Sequence, residues 1–184
     1  MIEKRYLKYA APFLLFFSFL FDTHATRLMT HWTDDRYIAN LHLLILLLLV
    51  LSEVLEKGFL MKTMIVLGIV YDLYYIGIIG IYAVIFPVLV ALIYFFKTVI
   101  NKNLLTLFFS MIILVTLFEL GSLTIQLIFQ LVMVDNQFFV TRFLGPTLLL
   151  NMIAFVIFIL PLQKVFLDKS MKRIKFQRVH RKSE

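Results

Sequence analysis

The chain has 184 residues, 62% of them hydrophobic and 16% charged, with a mean hydropathy of +0.96. Soluble domains are about 45–50% apolar and about 25% charged, and a chain this short cannot enclose so many Leu, Ile and Phe side chains away from water, which excludes an ordinary globular enzyme, a disordered chain and a disulfide scaffold. The lack of cysteine removes thiolate metal sites and Cys nucleophiles, and the formal charge of +7 takes its meaning from where along the chain it lies.

A helix needs roughly 20 apolar residues to cross ~30 Å of hydrocarbon, and six such segments follow one another. The first runs from Tyr6 to Phe21. Its basic start resembles a signal peptide, but Thr23-His24-Ala25 is a poor small-x-small cleavage site, so it reads as a retained span. The second, Ile38 to Leu55, contains LHLLILLLLVL. Phe59 to Phe96 would be ~57 Å as one helix and must break. The glycines of Tyr74–Gly80 (YYIGIIG) weaken a helix there, giving spans Phe59–Tyr75 and Gly77–Phe96. The fifth, Leu104 to Val134, would reach ~46 Å if straight, which predicts tilt, protrusion or a kink near Gly121. The sixth, Phe143 to Leu162, has Pro146 near its start, where a missing N–H costs little. The expected fold is an all-α integral membrane protein, a six-helix transmembrane bundle over residues 1–163 with a polybasic tail over 164–184.

With six spans both termini share one side. Lys4, Arg5, Lys8, Lys57, Lys62, Lys97, Lys102 and the tail put 15 of the 18 basic residues there, against Arg27, Arg36 and Arg142 on the other. Cytoplasmic loops carry the excess of Lys and Arg, so both ends are expected inside. Tyr6, Tyr9 and Tyr94 fall at inner boundaries; Tyr37, Tyr71, Tyr74, Tyr75 and Trp32 fall near outer ones, as an interfacial aromatic belt requires. The tail carries the charge of a nucleic-acid binder, but directly after a span it more simply holds anionic lipid, at ~1 kcal/mol per charge, so no nucleic-acid partner is expected.

Ionisable and polar groups inside spans are costly and mark structure or function. Asp72 reads either as a ligand- or partner-binding carboxylate or as a cap that steadies the Tyr74–Gly80 turn. In span five, Thr116, Glu119, Ser122, Gln126 and Gln130 recur every three or four residues and form one polar stripe. It reads as a cavity lining, a seat for a partner helix, or interhelical hydrogen bonding. Asn151 lies ~7 Å deeper than Pro146 and needs a partner. At similar depth to Asp72, it is expected to contact that carboxylate. His24, His31, Asp34 and Asp35 fit no standard metal spacing, and no metal or cofactor is expected.

Gly68-x-x-x-Asp72-Leu-Tyr-Tyr-x-Gly77-x-x-Gly80-x-Tyr82-Ala83, followed by Gly145-Pro146-Thr147 and Asn151, resembles the bacterial rod shape-determining MreD family over roughly Pro12 to Leu162. The resemblance assigns Gly68, Asp72, Gly77 and Gly80 to one family motif and Pro146, Thr147 and Asn151 to another. It implies a fold like the six-helix substrate-binding components of energy-coupling-factor vitamin transporters. It also implies a non-enzymatic role in the elongasome: binding the single-span protein MreC beside the RodA glycosyltransferase and a class B penicillin-binding protein. Two other readings compete. A vitamin-type binding subunit would use Asp72, Glu119 and Gln126, but lacks a small-xxx-small docking face, since Leu14 and Leu15 follow Ala10 and Ala11. An intramembrane enzyme would have only Asp72 and Glu119 as a pair.

Overall fold

The computed structural model describes residues 4–34, 36–78, 80–98, 104–133 and 135–166. These are all-helical, with no strand among them. Six principal helices follow in order: α1 (Lys4–Trp32), α2 (Leu43–Ser52), α3 (Lys57–Tyr71), α4 (Tyr82–Phe95), α5 (Leu104–Ile128) and α6 (Gly145–Phe166). A wide π turn, Asp72–Ile76, extends α3, and another, Phe139–Leu144, leads without a break into α6. By length and composition, α5 and the continuous stretch Phe139–Val165 can each cross a bilayer alone.

The bundle is organised around its shortest member. Every residue of α2 from Leu44 to Ser52 is buried, and α2 touches α1, α4, α5 and α6. A helix hydrophobic all round belongs in such a centre. One end of the bundle is fixed by Lys8, which lies 5.3 Å over the Phe59 ring, and by Lys97, whose Nζ donates to the Ser52 carbonyl. At that end Tyr94 Oη also donates to the Leu55 carbonyl, at 2.7 Å. The outside is as apolar as the inside. Phe13, Phe17 and Trp32 of α1 are 67%, 64% and 75% exposed, and Leu149, Ile153, Val156 and Leu160 line the outer face of α6. Lipid tails solvate such a surface without cost, and water does not.

Helix α3 packs most extensively on α4, and Gly68 sets how closely. A Cβ there would lie 2.5 Å from the Tyr82 carbonyl oxygen and 2.7 Å from Ala83 Cα, closer than atoms approach. Gly68→Ala must push the helices apart, and we expect it to lower the stability of the purified protein by about 1–3 kcal/mol. An unchanged thermal midpoint for Gly68→Ala in detergent would contradict this close approach.

Several expected boundaries move. Helix α1 has 29 residues, well past Phe21. Thr23 and Thr30 return their hydroxyls to carbonyls four residues back, and Asp22 is buried against α2. The second segment is helical only from Leu43, and Ile38–His42 has no regular secondary structure. The fourth begins at Tyr82 rather than Gly77, whose φ of +73° belongs to the turn. The fifth is a single α-helix of 25 residues that stops at Ile128, so it spans ~37 Å and no break is needed at Gly121. The sixth continues to Phe166, and Pro146 follows a π turn instead of opening a free helix end. Most of the polybasic tail, residues 167–184, lies outside the described residues, as do Lys102 and Asp35.

Candidate functional site

Two buried polar clusters hold this bundle, and they absorb both sequence motifs. The first is built on Asp72, which is completely buried. Its Oδ2 accepts from the backbone N–H of Gly80 at 2.8 Å and of Ala83 at 3.0 Å, and its Oδ1 from that of Tyr82 at 2.9 Å. The first N–H groups of a helix have no intrahelical acceptor, so a carboxylate from the end of α3 caps the start of α4 across the intervening turn. Gly77 and Gly80, at φ +73° and +127°, let the chain reverse there, since side-chain-bearing residues avoid that conformation. Gly77 N–H also donates to the Asp72 carbonyl at 2.7 Å. The cap reading of Asp72 therefore describes its geometry.

The second cluster explains the short α2. Residues 38–42, which have no regular secondary structure, bond to the start of α6 and the π turn before it through alternate residues. Pro146 has no N–H, which leaves the carbonyl of Arg142, four residues earlier, without its helical donor; the Ile38 N–H takes it at 2.9 Å. Thr147 Oγ1 accepts from Asn40 N–H at 3.1 Å. Asn151 Oδ1 accepts from His42 N–H at 2.8 Å, while its Nδ2 donates to the carbonyls of Asn40 and Thr147. Ile38, Asn40 and His42 thus meet Arg142, Thr147 and Asn151 in order along the π turn and α6. The alternate side faces α1. Leu41 N–H donates to Thr26 Oγ1 at 3.1 Å, and Asp22 caps α2 by accepting from Leu43 and Leu44 N–H at 2.9 Å each. Irregular backbone at membrane depth is tolerated only where protein groups satisfy it this fully.

The expected Asp72–Asn151 contact is not made. Asp72 is committed to the α3–α4 turn, and Asn151 to residues 40 and 42. The polar stripe of α5 divides. Glu119, 4% exposed, accepts on Oε1 from Asn40 Nδ2 at 2.9 Å and lies 2.7 Å from His42 Nε2. Ser122 is buried and accepts from Gln126 Nε2 at 2.9 Å. Thr116 returns its hydroxyl to its own helix. Gln130 lies exposed beyond the end of α5 with φ +54°, so it is not on the helical stripe at all. No buried side-chain N or O among the described residues lacks a hydrogen-bond partner.

Sequence reasoning missed Asp22, Asn40, His42 and Thr26. The available signal was that Asn40 and His42 interrupt the second apolar run, and that Asp22 follows the first directly. Between α1, the segment 38–42 and α4 lies a cavity of about 300 Å³. Its walls include Phe19, Asp22, Thr23 and Arg27 of α1 together with Tyr71 and Tyr82.

Comparison with known proteins completes the assignment. Residues 8–169 match the family model described as rod shape-determining protein MreD. The cell shape-determining protein MreD of Streptococcus pneumoniae is 32% identical over 164 residues, covering 89% of this chain and 99% of that protein. The rod shape-determining protein MreD of Bacillus subtilis is 29% identical over 165 residues, covering 88% and 94%. No solved structure matches the fold significantly. A family match that spans nearly the whole chain, with a relative aligned almost end to end, shows that the chain belongs to the MreD family of rod shape-determining membrane proteins.

Proposed function

We propose that the chain is a non-enzymatic scaffold of the bacterial elongasome. In this reading it crosses the membrane six times with both ends cytoplasmic, binds MreC through a lateral helix contact, and works beside RodA and a class B penicillin-binding protein in lateral peptidoglycan synthesis. The basic tail holds anionic lipid. The observation that carries the reading is the use made of the buried polar groups. Asp72, Thr147 and Asn151 are spent on backbone N–H groups, and Glu119 on Asn40 and His42. Helix association within a bilayer rests on packing and a few hydrogen bonds, and α1 and α6 both present long apolar faces for it. The charge asymmetry supports the orientation.

A photocrosslinking residue placed at Phe13, Phe17, Leu149 or Ile153 in living cells tests this directly. The expected result is an MreC adduct from positions on one of the two faces and co-purification of MreC in native-lipid particles. No adduct from either face, with co-purification also failing, would overturn it.

A further inference from the structure

The cavity of about 300 Å³ has the liquid volume of roughly ten waters, and the charged groups around it are already committed. Both Asp22 oxygens accept from N–H groups of α2, and Glu119 accepts from Asn40 and His42. Arg27 is engaged within the protein as well. What the walls leave unspent is neutral, and Glu119 decides its character. A carboxylate accepts and does not donate, so His42 Nε2, 2.7 Å from Glu119 Oε1, carries the ring proton and Nδ1 is a bare acceptor. The same Oε1 takes Asn40 Nδ2 at 2.9 Å, which turns Asn40 Oδ1 away from it.

Neither Nδ1 nor Oδ1 is bonded by a described residue. No inaccessible side-chain N or O among the described residues goes unbonded, so both atoms are open. His42 is only 9% exposed, and the opening at its Nδ1 is the cavity it lines together with Asn40. From α1, Thr26 Oγ1 accepts from Leu41 N–H and donates to no described residue, which leaves its proton for a third contact. Leu44, Ile45 and Phe86 add apolar wall. An ion entering here would lose its hydration and meet no free counter-charge. Two fixed acceptors, one hydroxyl donor and an apolar surface instead match a molecule whose hydroxyls both give and accept and whose ring faces are C–H.

We propose that this cavity binds a neutral polyol the size of one sugar ring, its hydroxyls donating to His42 Nδ1 and Asn40 Oδ1 and accepting from Thr26. Glu119 is the positioning residue that holds both acceptors toward the ligand. Such a group occurs as a free sugar or as a glycolipid headgroup. The lateral faces assigned to protein partners take no part, so failure here leaves the scaffold reading untouched.

The test uses the full chain in phosphatidylcholine nanodiscs, with thermal midpoint and titrated affinity as readouts. Glucosyl diacylglycerol should raise the midpoint saturably, while plain diacylglycerol and phosphatidylethanolamine should not. Methyl glucoside in solution separates the sources: stabilisation by it assigns the sugar ring alone, and a response to the lipid only assigns a headgroup with its glycerol. In nitrogen NMR of histidine-labelled protein, His42 Nδ1 should appear unprotonated and its resonance should move as the sugar binds. His42→Phe keeps the ring volume without Nδ1 and should weaken binding roughly three- to tenfold, the effect of one neutral hydrogen bond. Thr23→Leu fills the cavity, and the hydroxyl it removes bonds only back to its own helix. Binding should therefore vanish from a protein that still melts cooperatively. No response to either sugar, an equal response to plain diacylglycerol or phosphatidylethanolamine, a protonated Nδ1, or undiminished binding by Thr23→Leu would overturn the proposal.

Discussion

Asp72→Ala leaves little folded protein in the membrane. The substitution removes the acceptor for three backbone N–H groups, those of Gly80, Tyr82 and Ala83. Residue 72 is completely buried, so no water reaches the exposed donors. Each buried donor left unpaired costs about 1–3 kcal/mol, and three together amount to several kcal/mol. That is comparable with the whole ~5–15 kcal/mol that keeps an ordinary domain folded. Asp72→Asn should fall between alanine and the native protein, because its amide oxygen still accepts while its NH₂ now faces N–H donors. The measurement is the amount of monodisperse protein recovered from membranes, with its thermal midpoint. If Asp72→Ala gave native yield and midpoint, the carboxylate would not be a cap.

Asn151→Ala is the second large effect, and Asn151→Asp is expected to be at least as severe. Alanine strands the His42 N–H and deprives the Asn40 carbonyl of the donor that Asn151 Nδ2 supplies, in a segment that has no secondary structure of its own. Loss of about 2–4 kcal/mol follows from two buried groups losing partners. Aspartate keeps the acceptor for His42 but brings negative charge against the carbonyl oxygens of Asn40 and Thr147, which Nδ2 now binds at 2.7 and 2.8 Å. Hydrogen exchange separates this from general unfolding. Amides 38–44 should exchange faster in Asn151→Ala while those of α5 keep their protection. Uniformly faster exchange, or no change at residues 38–44, would contradict a local role.

Hydropathy made the existence and order of the helices legible because lipid-facing and core-facing residues alike must be apolar, and the two glycines of YYIGIIG located the reversal between α3 and α4. The broken second helix was not legible. Ile38–His42 reads as the start of an apolar span, and its irregular backbone is held by Thr147, Asn151 and Thr26, at least 15 residues away in sequence. Such non-local hydrogen bonds leave no local periodicity. The end of α5 was overrun for a related reason: all of Phe129 to Val134 except Gln130 is apolar, and Gln130 fits the spacing of the stripe, so composition carries no boundary signal there. The resemblance named Asp72, Pro146, Thr147 and Asn151 together, and the structure buries Asp72, Thr147 and Asn151. It could not say that they form two separate clusters, since similar depth in a bundle does not place two side chains on the same contact. In α5, Glu119 of the stripe bonds across to another segment, Thr116, Ser122 and Gln126 bond within the helix, and Gln130 lies past its end.

The account holds that the buried polar residues of this MreD-family chain act by keeping the bundle assembled. The most direct measurement is rescue of cell shape, in bacteria depleted of their own MreD, plotted against folded protein recovered from the same membranes. Asp72→Ala, Asp72→Asn, Glu119→Gln and Asn151→Ala form the series. The prediction is a single rising curve on which each variant rescues in proportion to its folded amount. A variant such as Glu119→Gln that accumulates at the native level, melts at the native temperature and yet leaves cells round would contradict it, and would return a chemical role to the carboxylate.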